Sequence, residues 1–320
     1  MSIVEKAVDK LKTNGAGGVA RQVDPDVFPR SAEPVKRNGN GAGDADVRPI
    51  SHSSPPPVMP IAGGDAEPVH VDFEALHAAG MYPSEDNSGR IADQYRRIKR
   101  PLLANITGRG ATQVANGRRI MVASSVPGEG KTFTSFNLAL SIALERDFTA
   151  LLIDGDVAKS DMTRILNLEE RPGLLDLLGN ERLRPEQVIA ATDVPRLKVL
   201  PAGQWNSIST ELLASRRMEH VLDEISRSMP NCLIVFDSPP LLATSEAQVL
   251  AASMGQIVVV VAAGKTPQHT VKAGLETLDP DKSINLVLNF ARDVGDEKHY
   301  GNYYGGYYGG YDRKSPPTHA

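Results

Sequence analysis

The chain has 320 residues, a formal net charge of −4 and a single cysteine, Cys232. This length is enough for one large α/β domain with extensions, and the mild charge gives no reason to expect nucleic-acid binding. One cysteine excludes an internal disulfide framework and fits a reducing compartment. The longest apolar run, Ile257 to Ala263, is far shorter than the ~20 residues of a membrane-spanning helix. We therefore expect a cytoplasmic protein.

The first 69 residues divide into two segments by composition. Residues 1–12 place apolar side chains on one helical face and predict a short amphipathic helix, which is either a docking helix or a frayed end. Residues 13–69 are rich in Gly, Pro, Ala and Ser and predict a disordered linker. Apolar patterning then returns, so residues 70–298 are expected to form the folded domain.

A charged helix is predicted near the start of this domain, over residues 91–104. It carries Asp93, Arg96 and Lys99, and a solvated helix face is the simplest interpretation of such a charge run. A nucleic-acid surface is disfavoured because only Tyr95 interleaves with the charges. Pro101 lacks an N–H group and is expected to kink or interrupt the helix.

The rest of the domain alternates between strand and helix patterns. Strands are predicted at 119–124, 149–154, 197–201, 232–237, 256–262 and 284–290. Helices are predicted at 132–146, 161–167, 173–179, 185–191, 209–228, 244–253 and 267–278. Continuous apolar strands that alternate with helices predict an α/β fold of three layers, with a mostly parallel twisted sheet flanked by helices. Such sheets bind ligands at the carboxyl ends of their strands.

The segment ASSVPGEGKT at residues 123–132 organises the domain, because a predicted strand enters it and a predicted helix leaves it. This is the layout of the phosphate-binding loop of P-loop NTPases. Its backbone N–H groups and the helix N-terminus attract an anion, Lys131 can reach the β- and γ-phosphates, and the Thr132 hydroxyl can ligate Mg²⁺. Ser125 stands where the usual pattern has its first glycine, and a chance Gly-Lys-Thr turn is the alternative.

Two further predicted strands end in aspartates. Asp154 ends the strand at 149–154, with Asp156 two residues further on, and Asp237 ends the strand at 232–237. Carboxylates at these ends are placed to hold Mg²⁺ directly or through water, although one alone would suit a turn or a helix cap equally well. Asp156 can also orient or deprotonate an attacking hydroxyl. Asn289, at the end of the last strand, can offer its amide to an adenine ring or serve as a turn residue.

The segment at residues 299–320 contains six of the eight tyrosines of the chain, separated by glycines. Glycine spacers oppose stable helix or strand, so these hydroxyls are expected on a flexible tether. A low-complexity tail for weak association is one interpretation. The other is a multisite phosphoacceptor, in which each phosphate adds a charge of about −1.5 to −2.

Together these segments resemble the bacterial tyrosine kinases of polysaccharide export, which use a P-loop ATPase fold rather than the eukaryotic kinase fold. The likeness covers roughly residues 90–311. Its motifs are Ser124–Thr132 as Walker A, Leu151–Asp156 as the second Walker-A-type motif, Leu233–Pro240 as Walker B, and the tyrosine tail. The combination is specific, whereas each motif alone occurs in many P-loop proteins.

The resemblance implies a protein-tyrosine kinase that uses ATP and Mg²⁺. Lys131, Asp154 and Asp156 would act in catalysis, and Thr132, Asp154 and Asp237 would manage Mg²⁺. The ATP-binding residues would be Pro127, Gly128, Glu129, Gly130, Lys131, Thr132, Phe133 and Asn289. The phosphoacceptors, presented to a neighbouring subunit, would be Tyr300, Tyr303, Tyr304, Tyr307, Tyr308 and Tyr311.

In such kinases an acidic-x-x-Arg-x-x-Arg helix docks against the neighbouring subunit and builds a homo-oligomeric ring. Asp93, Arg96 and Lys99 match this motif with Asp for Glu and Lys for the second Arg, which keeps the charges but loses the bidentate geometry of Arg. The segment VAKS at 157–160 and the first residues resemble the subgroup found with exosortase-type exopolysaccharide loci. This implies recruitment to the inner membrane face by a membrane-anchored chain-length-determinant protein, its activator, and tyrosine phosphorylation of other proteins.

Two other functions fit parts of the sequence. A switch ATPase of the partition and division-site type shares the fold and the aspartate motifs, but it usually has an extra Lys where this chain has Val126, and it lacks a tyrosine tail. A nucleotide-binding scaffold would bind ATP without transferring phosphate, and its tail would only mediate assembly.

Overall fold

The computed structural model describes residues 67–108 and 114–291. The predicted helix at 1–12, nearly all of the predicted linker and the tail at 299–320 lie outside the described residues. The predicted start of the domain, at residue 70, falls just after Val69, which is buried and bridges to Thr192.

Seven strands form one sheet in the described part of the chain. They are β1 (Arg119–Ser124), β2 (Thr149–Asp154), β3 (Ala190–Ala191), β4 (Leu197–Leu200), β5 (Cys232–Asp237), β6 (Gln256–Ala262) and β7 (Ser283–Asn289). Their order across the sheet is β3-β4-β2-β5-β1-β6-β7. Every pairing is parallel except that of β3 with β4. The predicted α/β fold with a mostly parallel sheet is therefore confirmed.

Helices precede the sheet and connect its strands. They are α1 (Phe73–Ala78), α2 (Glu85–Thr107), α3 (Lys131–Ala143), α4 (Asp161–Ile165), α5 (Leu174–Gly179), α6 (Pro185–Val188), α7 (Ser209–Leu213), α8 (Arg216–Ser228), α9 (Glu246–Ala252) and α10 (Gln268–Glu276).

The main differences from the predicted elements have local causes. The helix predicted at 209–228 is two helices, because Ser215 adopts an extended conformation and starts α8. The helix predicted at 185–191 ends at Val188, since the next residues form the short edge strand β3. Of the kink or interruption expected at Pro101, the interruption is wrong, because α2 continues through this residue. Because proline has no N–H group, the carbonyl of Arg97 has no hydrogen-bond donor one turn further along the helix. Both Arg97 and Pro101 are exposed, so this carbonyl can bond to water instead.

The core occupies both faces of the sheet, because successive side chains of a strand point in opposite directions. Ile120 and Val122 of β1 pack in one cluster with side chains of α2 and α3. Met121 and Ala123, which alternate with them, are equally buried and face the other side. Cys232 is part of this interior, and its burial raises the pKa of the thiol to about 12, so it packs as a neutral side chain.

A buried polar contact attaches α2 to the sheet. The Gln256 side chain, fully buried at the start of β6, donates its amide hydrogens to the carbonyl groups of Leu102, at 3.1 Å, and Gly117, at 2.6 Å. Its carbonyl oxygen accepts from the Asn105 amide at 2.8 Å. Three partners around one buried amide fix the position of α2 against β6.

We expect Gln256→Leu to lower the free energy of unfolding by about 2–4 kcal/mol, because it removes three buried hydrogen bonds. The Asn105 amide keeps only its longer bond to the Ser283 hydroxyl, at 3.3 Å. Urea unfolding followed by circular dichroism measures this change. Gln248→Leu, on the exposed face of α9, is the matched control and should change stability little. Equal stability of both variants would contradict the assignment.

Candidate active site

The phosphate-binding loop lies between β1 and α3, where its backbone makes two left-handed turns. Gly128 has a φ of +82° and Gly130 a φ of +89°, a region that other residues adopt only with strain. A side chain at Gly130 would also collide with the amide of Asn289. Lys131 then begins α3, so the N-terminus of this helix faces the loop, as the sequence predicts for an anion site.

The structure explains why the phosphate-binding loop can have Ser125 where the usual pattern has its first glycine. The backbone of Ser125 lies outside the left-handed region, so this position does not require glycine. Its hydroxyl points at α10, where a Cβ on Gly274 would lie only 2.5 Å from the Ser125 oxygen. The glycine on α10 therefore leaves room for the serine in the loop, a pairing that the sequence motif alone does not reveal.

Glu129 braces the loop from inside. Its carboxylate, 1% exposed, accepts from the Val126 N–H at 2.9 Å, from the Thr266 hydroxyl at 2.5 Å and from the Ala262 N–H at 3.2 Å. The carbonyl of Glu129 accepts from the Asn289 amide at 3.0 Å. The loop is thus bonded to the ends of β6 and β7. The sequence predicts ATP binding for Glu129, and adenine binding or a turn role for Asn289, but it does not reveal these contacts.

Four charged side chains meet where β2 and β5 end. Asp154 and Asp237 are neighbours in the register of these parallel strands. The Lys131 ammonium lies 2.6 Å from Asp156. Asp237 accepts from the Ser135 hydroxyl at 3.0 Å, and the nearby Thr132 hydroxyl helps to lower its pKa.

All four groups are nearly inaccessible to water, so their charges interact strongly. Desolvation, followed by repulsion from Asp237, raises the pKa of Asp154 to about 7. Desolvation also raises the pKa of Asp237 to about 6, although Lys131 opposes the shift. Burial lowers the pKa of Lys131, but attraction to Asp237 and Asp156 outweighs it and the net direction is upward. One ammonium therefore faces three carboxylates.

Asp154 has one satisfied and one unsatisfied oxygen. Its Oδ2 accepts from the Thr163 N–H at 2.9 Å and from the Thr163 hydroxyl at 2.7 Å. Its buried Oδ1 has no hydrogen-bond partner in the structure. In the part of the chain described here, no group of three or more His, Cys, Asp or Glu side chains has the geometry of a complete metal site. Further ligands for a cation would have to come from the Thr132 hydroxyl, phosphates or water.

A cavity of about 650 Å³ lies between α2, the start of α3 and the end of β7. Three residues of the predicted ATP set line it, namely Gly130, Phe133 and Asn289. Phe133 also packs against the Tyr95 ring, with 6.3 Å between the ring centroids. The structure thus brings part of the predicted nucleotide set to one cavity beside the loop.

The predicted interface residues on α2 separate into two kinds. Asp93 and Arg96 form an ion pair on the exposed face of the helix. Lys99 is 4% exposed, and its ammonium lies 2.6 Å from Glu145 and 2.5 Å from the carbonyl of Ser141. Lys99 therefore holds α2 to the end of α3, a position that does not fit the expected intersubunit contact.

The loop, the parallel sheet and the strand-end aspartates define a nucleotide-binding protein of the P-loop NTPase class. The AAA domain family matches residues 117–282, slightly more than half of the chain. The tyrosine-protein kinase YwqD of Bacillus subtilis (strain 168) is 32% identical over 188 residues, which cover 58% of this chain and 77% of YwqD. The chain therefore belongs to the bacterial tyrosine-protein kinase family.

Two further similarities concern another relative and a solved structure with the same fold. The tyrosine-protein kinase ptk of Acinetobacter johnsonii is 29% identical over 53% of this chain, and the match spans only 22% of ptk. The kinase domain of VpsO has the same fold, with a TM-score of 0.54 and 24% identity over 65% of this chain and 100% of that domain. Across the described ranges, no helix is both long and apolar enough to span a membrane.

The raised pKa of Asp154 predicts a pH-dependent stability difference. The folded chain holds this proton more tightly than the unfolded chain, so the group lowers stability as the pH rises from about 4 to about 7. Asp154→Asn retains an acceptor for Thr163 and removes the charge. We expect its Tm, without nucleotide or Mg²⁺, to exceed that of the wild type by about 3–6 °C at pH 8 and to approach it at pH 5.

Differential scanning calorimetry over this pH range measures the effect. Asp281→Asn removes an exposed carboxylate in the turn before β7 and should give a pH-independent difference close to zero. A stabilisation of Asp154→Asn that did not depend on pH would contradict the interpretation.

The bracing role of Glu129 predicts weaker nucleotide binding without loss of the fold. Glu129→Gln replaces one acceptor oxygen by an amide that faces backbone N–H donors. We expect the Kd for ATP to rise by about 5- to 30-fold, because the loop loses its fixed shape. Calorimetric titration with ATP measures it, with Glu276→Gln, on the exposed face of α10, as the control. An unchanged Kd would show that the loop holds its shape without this carboxylate.

Proposed function

We propose that the chain uses ATP and Mg²⁺ to phosphorylate tyrosines in the tail of a second copy of itself. The observation that carries the proposal is the Lys131–Asp156 pair beside Asp154 and Asp237, at the end of the phosphate-binding loop, in a chain of this kinase family. The acceptors are the six tail tyrosines at 300, 303, 304, 307, 308 and 311. The tail lies outside the described residues, so its part in the proposal rests on the sequence.

The charge distribution supports a site for Mg²⁺. Three buried carboxylates oppose one ammonium, and the Oδ1 atom of Asp154 has no partner, so a hard divalent cation would relieve both conditions. Thr132, Asp154 and Asp237 are the residues that would hold it. When bound, Mg²⁺ would neutralise charge on the phosphate oxygens during transfer.

Lys131 and Asp156 are paired in this structure, and the proposed reaction separates them. The Lys131 ammonium leaves Asp156 to contact the phosphates, which releases the Asp156 carboxylate to accept a proton. The tyrosine oxygen then forms a bond to the γ-phosphorus, and the bond from phosphorus to the β–γ bridging oxygen breaks. ADP leaves with that electron pair, and the phenolic proton passes to Asp156.

Assembly and regulation belong to the same proposal. Asp93 and Arg96 are exposed on α2 and are available to a neighbouring subunit in a ring, whereas Lys99 is engaged within the chain. Six phosphates would make the tail strongly anionic and should weaken subunit packing. We place the reaction in control of exopolysaccharide export, at the inner membrane face, with a membrane-anchored chain-length-determinant protein as activator and with other proteins as further substrates.

The two alternative functions lack specific support. A partition-type switch ATPase is disfavoured by the family assignment and by the neutral residue at Val126, whose N–H is bonded to Glu129. A nucleotide-binding scaffold would not need an acidic side chain within reach of the phosphate-binding lysine. Both alternatives predict ATP binding with unmodified tyrosines.

A mixing experiment tests transfer between copies. Full-length Lys131→Met, which keeps all tyrosines, is incubated with ATP, Mg²⁺ and a second full-length variant in which the six tail tyrosines are serine. We expect phosphate on the tail of Lys131→Met in the mixture and, because Lys131 contacts the phosphates, an about 100- to 1000-fold lower rate with Lys131→Met alone. Phosphosite mass spectrometry measures both.

Lys272→Met, an exposed lysine on α10, is the matched control and should phosphorylate normally. Unmodified tyrosines in every mixture, with the cytoplasmic part of the activator present, would contradict the proposed kinase activity and favour a switch ATPase or scaffold.

A further inference from the structure

Four large apolar side chains are exposed around the carboxyl edge of the sheet. They are Trp205 (66% exposed), Ile208 (54%), Leu242 (43%) and Val249 (42%), and we call them the apolar rim. Exposed apolar groups that cluster in this way are typical of an interaction surface rather than of ordinary solvent-facing structure.

The topology places the apolar rim on both sides of the candidate active site. Trp205 and Ile208 lie in the connection that follows β4, and Leu242 lies in the connection that follows β5. Strand β2 runs between β4 and β5, so the segment carrying Asp156 leaves the sheet between the two parts of the rim.

Two hydrogen bonds tie the parts of the rim to each other and to the loop. The Thr210 hydroxyl of α7 donates to Glu246 of α9 at 2.8 Å, which joins the helix beside Ile208 to the helix that carries Val249. The N–H of Leu242 donates to the carbonyl of Ser125 at 3.1 Å. The elements that carry the rim are therefore joined to each other or to the phosphate-binding loop.

We infer that the apolar rim is the docking surface for the tyrosine tail, residues 300–311, which in the proposed reaction comes from a second copy. The segment has six aromatic rings and no charged residue, a composition that suits contact with exposed apolar side chains. The proposed reaction brings this segment of a second copy to Asp156, and the rim lies on both sides of the strand that leads to Asp156.

This inference rests on the proposed function and deepens it. Tyrosine rings held on the rim are kept near Asp156, which raises the local concentration of acceptor hydroxyls at the site. Glycine spacers let different rings occupy the rim in turn, so several tyrosines can share one docking surface. The rim thus selects the acceptor, whereas Lys131 and the aspartates carry out the transfer.

Trp205 is the only tryptophan in the chain, so its fluorescence reports directly on the rim. We would compare full-length wild type with the full-length variant whose six tail tyrosines are serine, exciting only tryptophan. The wild type should emit at shorter wavelength, since docked rings shield the indole from water. A synthetic peptide of residues 300–311 added to the serine variant should restore the shift in a saturable way.

Two substitutions locate the binding. Leu242→Ser and Val249→Ser, made in the serine variant, should each raise the peptide Kd by about five- to tenfold. Leu144→Ser is the matched control, because Leu144 is an exposed leucine (73%) at the other end of α3, away from the rim. In the phosphotransfer assay, the same rim variants should raise the KM for the peptide and leave the KM for ATP unchanged.

The outcomes separate this inference from the proposed function. A peptide-dependent shift without phosphotransfer would keep the docking surface and contradict the kinase proposal. Phosphotransfer without any shift, or with equal peptide Kd values in rim and control variants, would overturn the docking surface alone. A shift that depends on protein concentration but not on tail tyrosines would overturn it in favour of a contact between copies.

Discussion

The candidate active site depends on the electrostatic interaction of one buried ammonium with three buried carboxylates. Parallel pairing of β2 and β5 sets Asp154 beside Asp237, and α3 brings Lys131 to Asp156. The cost of burying these charges appears in the raised pKa values of Asp154 and Asp237, which result first from desolvation and then from repulsion between carboxylates. A divalent cation at this place would relieve the cost, since it would neutralise part of the excess negative charge.

The surrounding contacts keep this imbalance in place. Glu129 ties the loop to β6, the Asn289 amide ties it to β7, and the Ser135 hydroxyl holds Asp237. The first two bonds link the loop to the ends of two strands, and the third links the end of β5 to α3. The arrangement is therefore rigid before any ligand binds, which lowers the cost of ordering it during the reaction.

Most of the fold could be predicted because its signals are local. Continuous apolar runs located the long strands to within one residue, and the loop motif placed Lys131 at a helix start. The short edge strand β3 carries no such signal, since two alanines pair only because β4 lies beside them. The start of α8 depends on a single extended serine, which a helical pattern hides.

The site was predictable in its residue types but not in its internal contacts. Gly-Lys-Thr and the strand-end aspartates predict a phosphate and cation site from their spacing. The hydrogen bond from the Thr266 hydroxyl to Glu129 joins residues far apart in the sequence, so no local pattern predicts it. Lys99 shows the opposite error, because a charged residue on a charged helix was assigned to the surface although it is bonded inside.

The close contact between Ser125 and Gly274 limits which amino-acid substitutions these two positions can accept. The side chains at the two positions occupy the same small space. Their combined volume is therefore limited, and not the volume of either side chain by itself. A glycine at 125 would give room for an alanine at 274, whereas an alanine at 274 next to the present serine would press on the phosphate-binding loop. Any substitution on that face of α10 is therefore also a change to the nucleotide site, although α10 carries none of its charged groups.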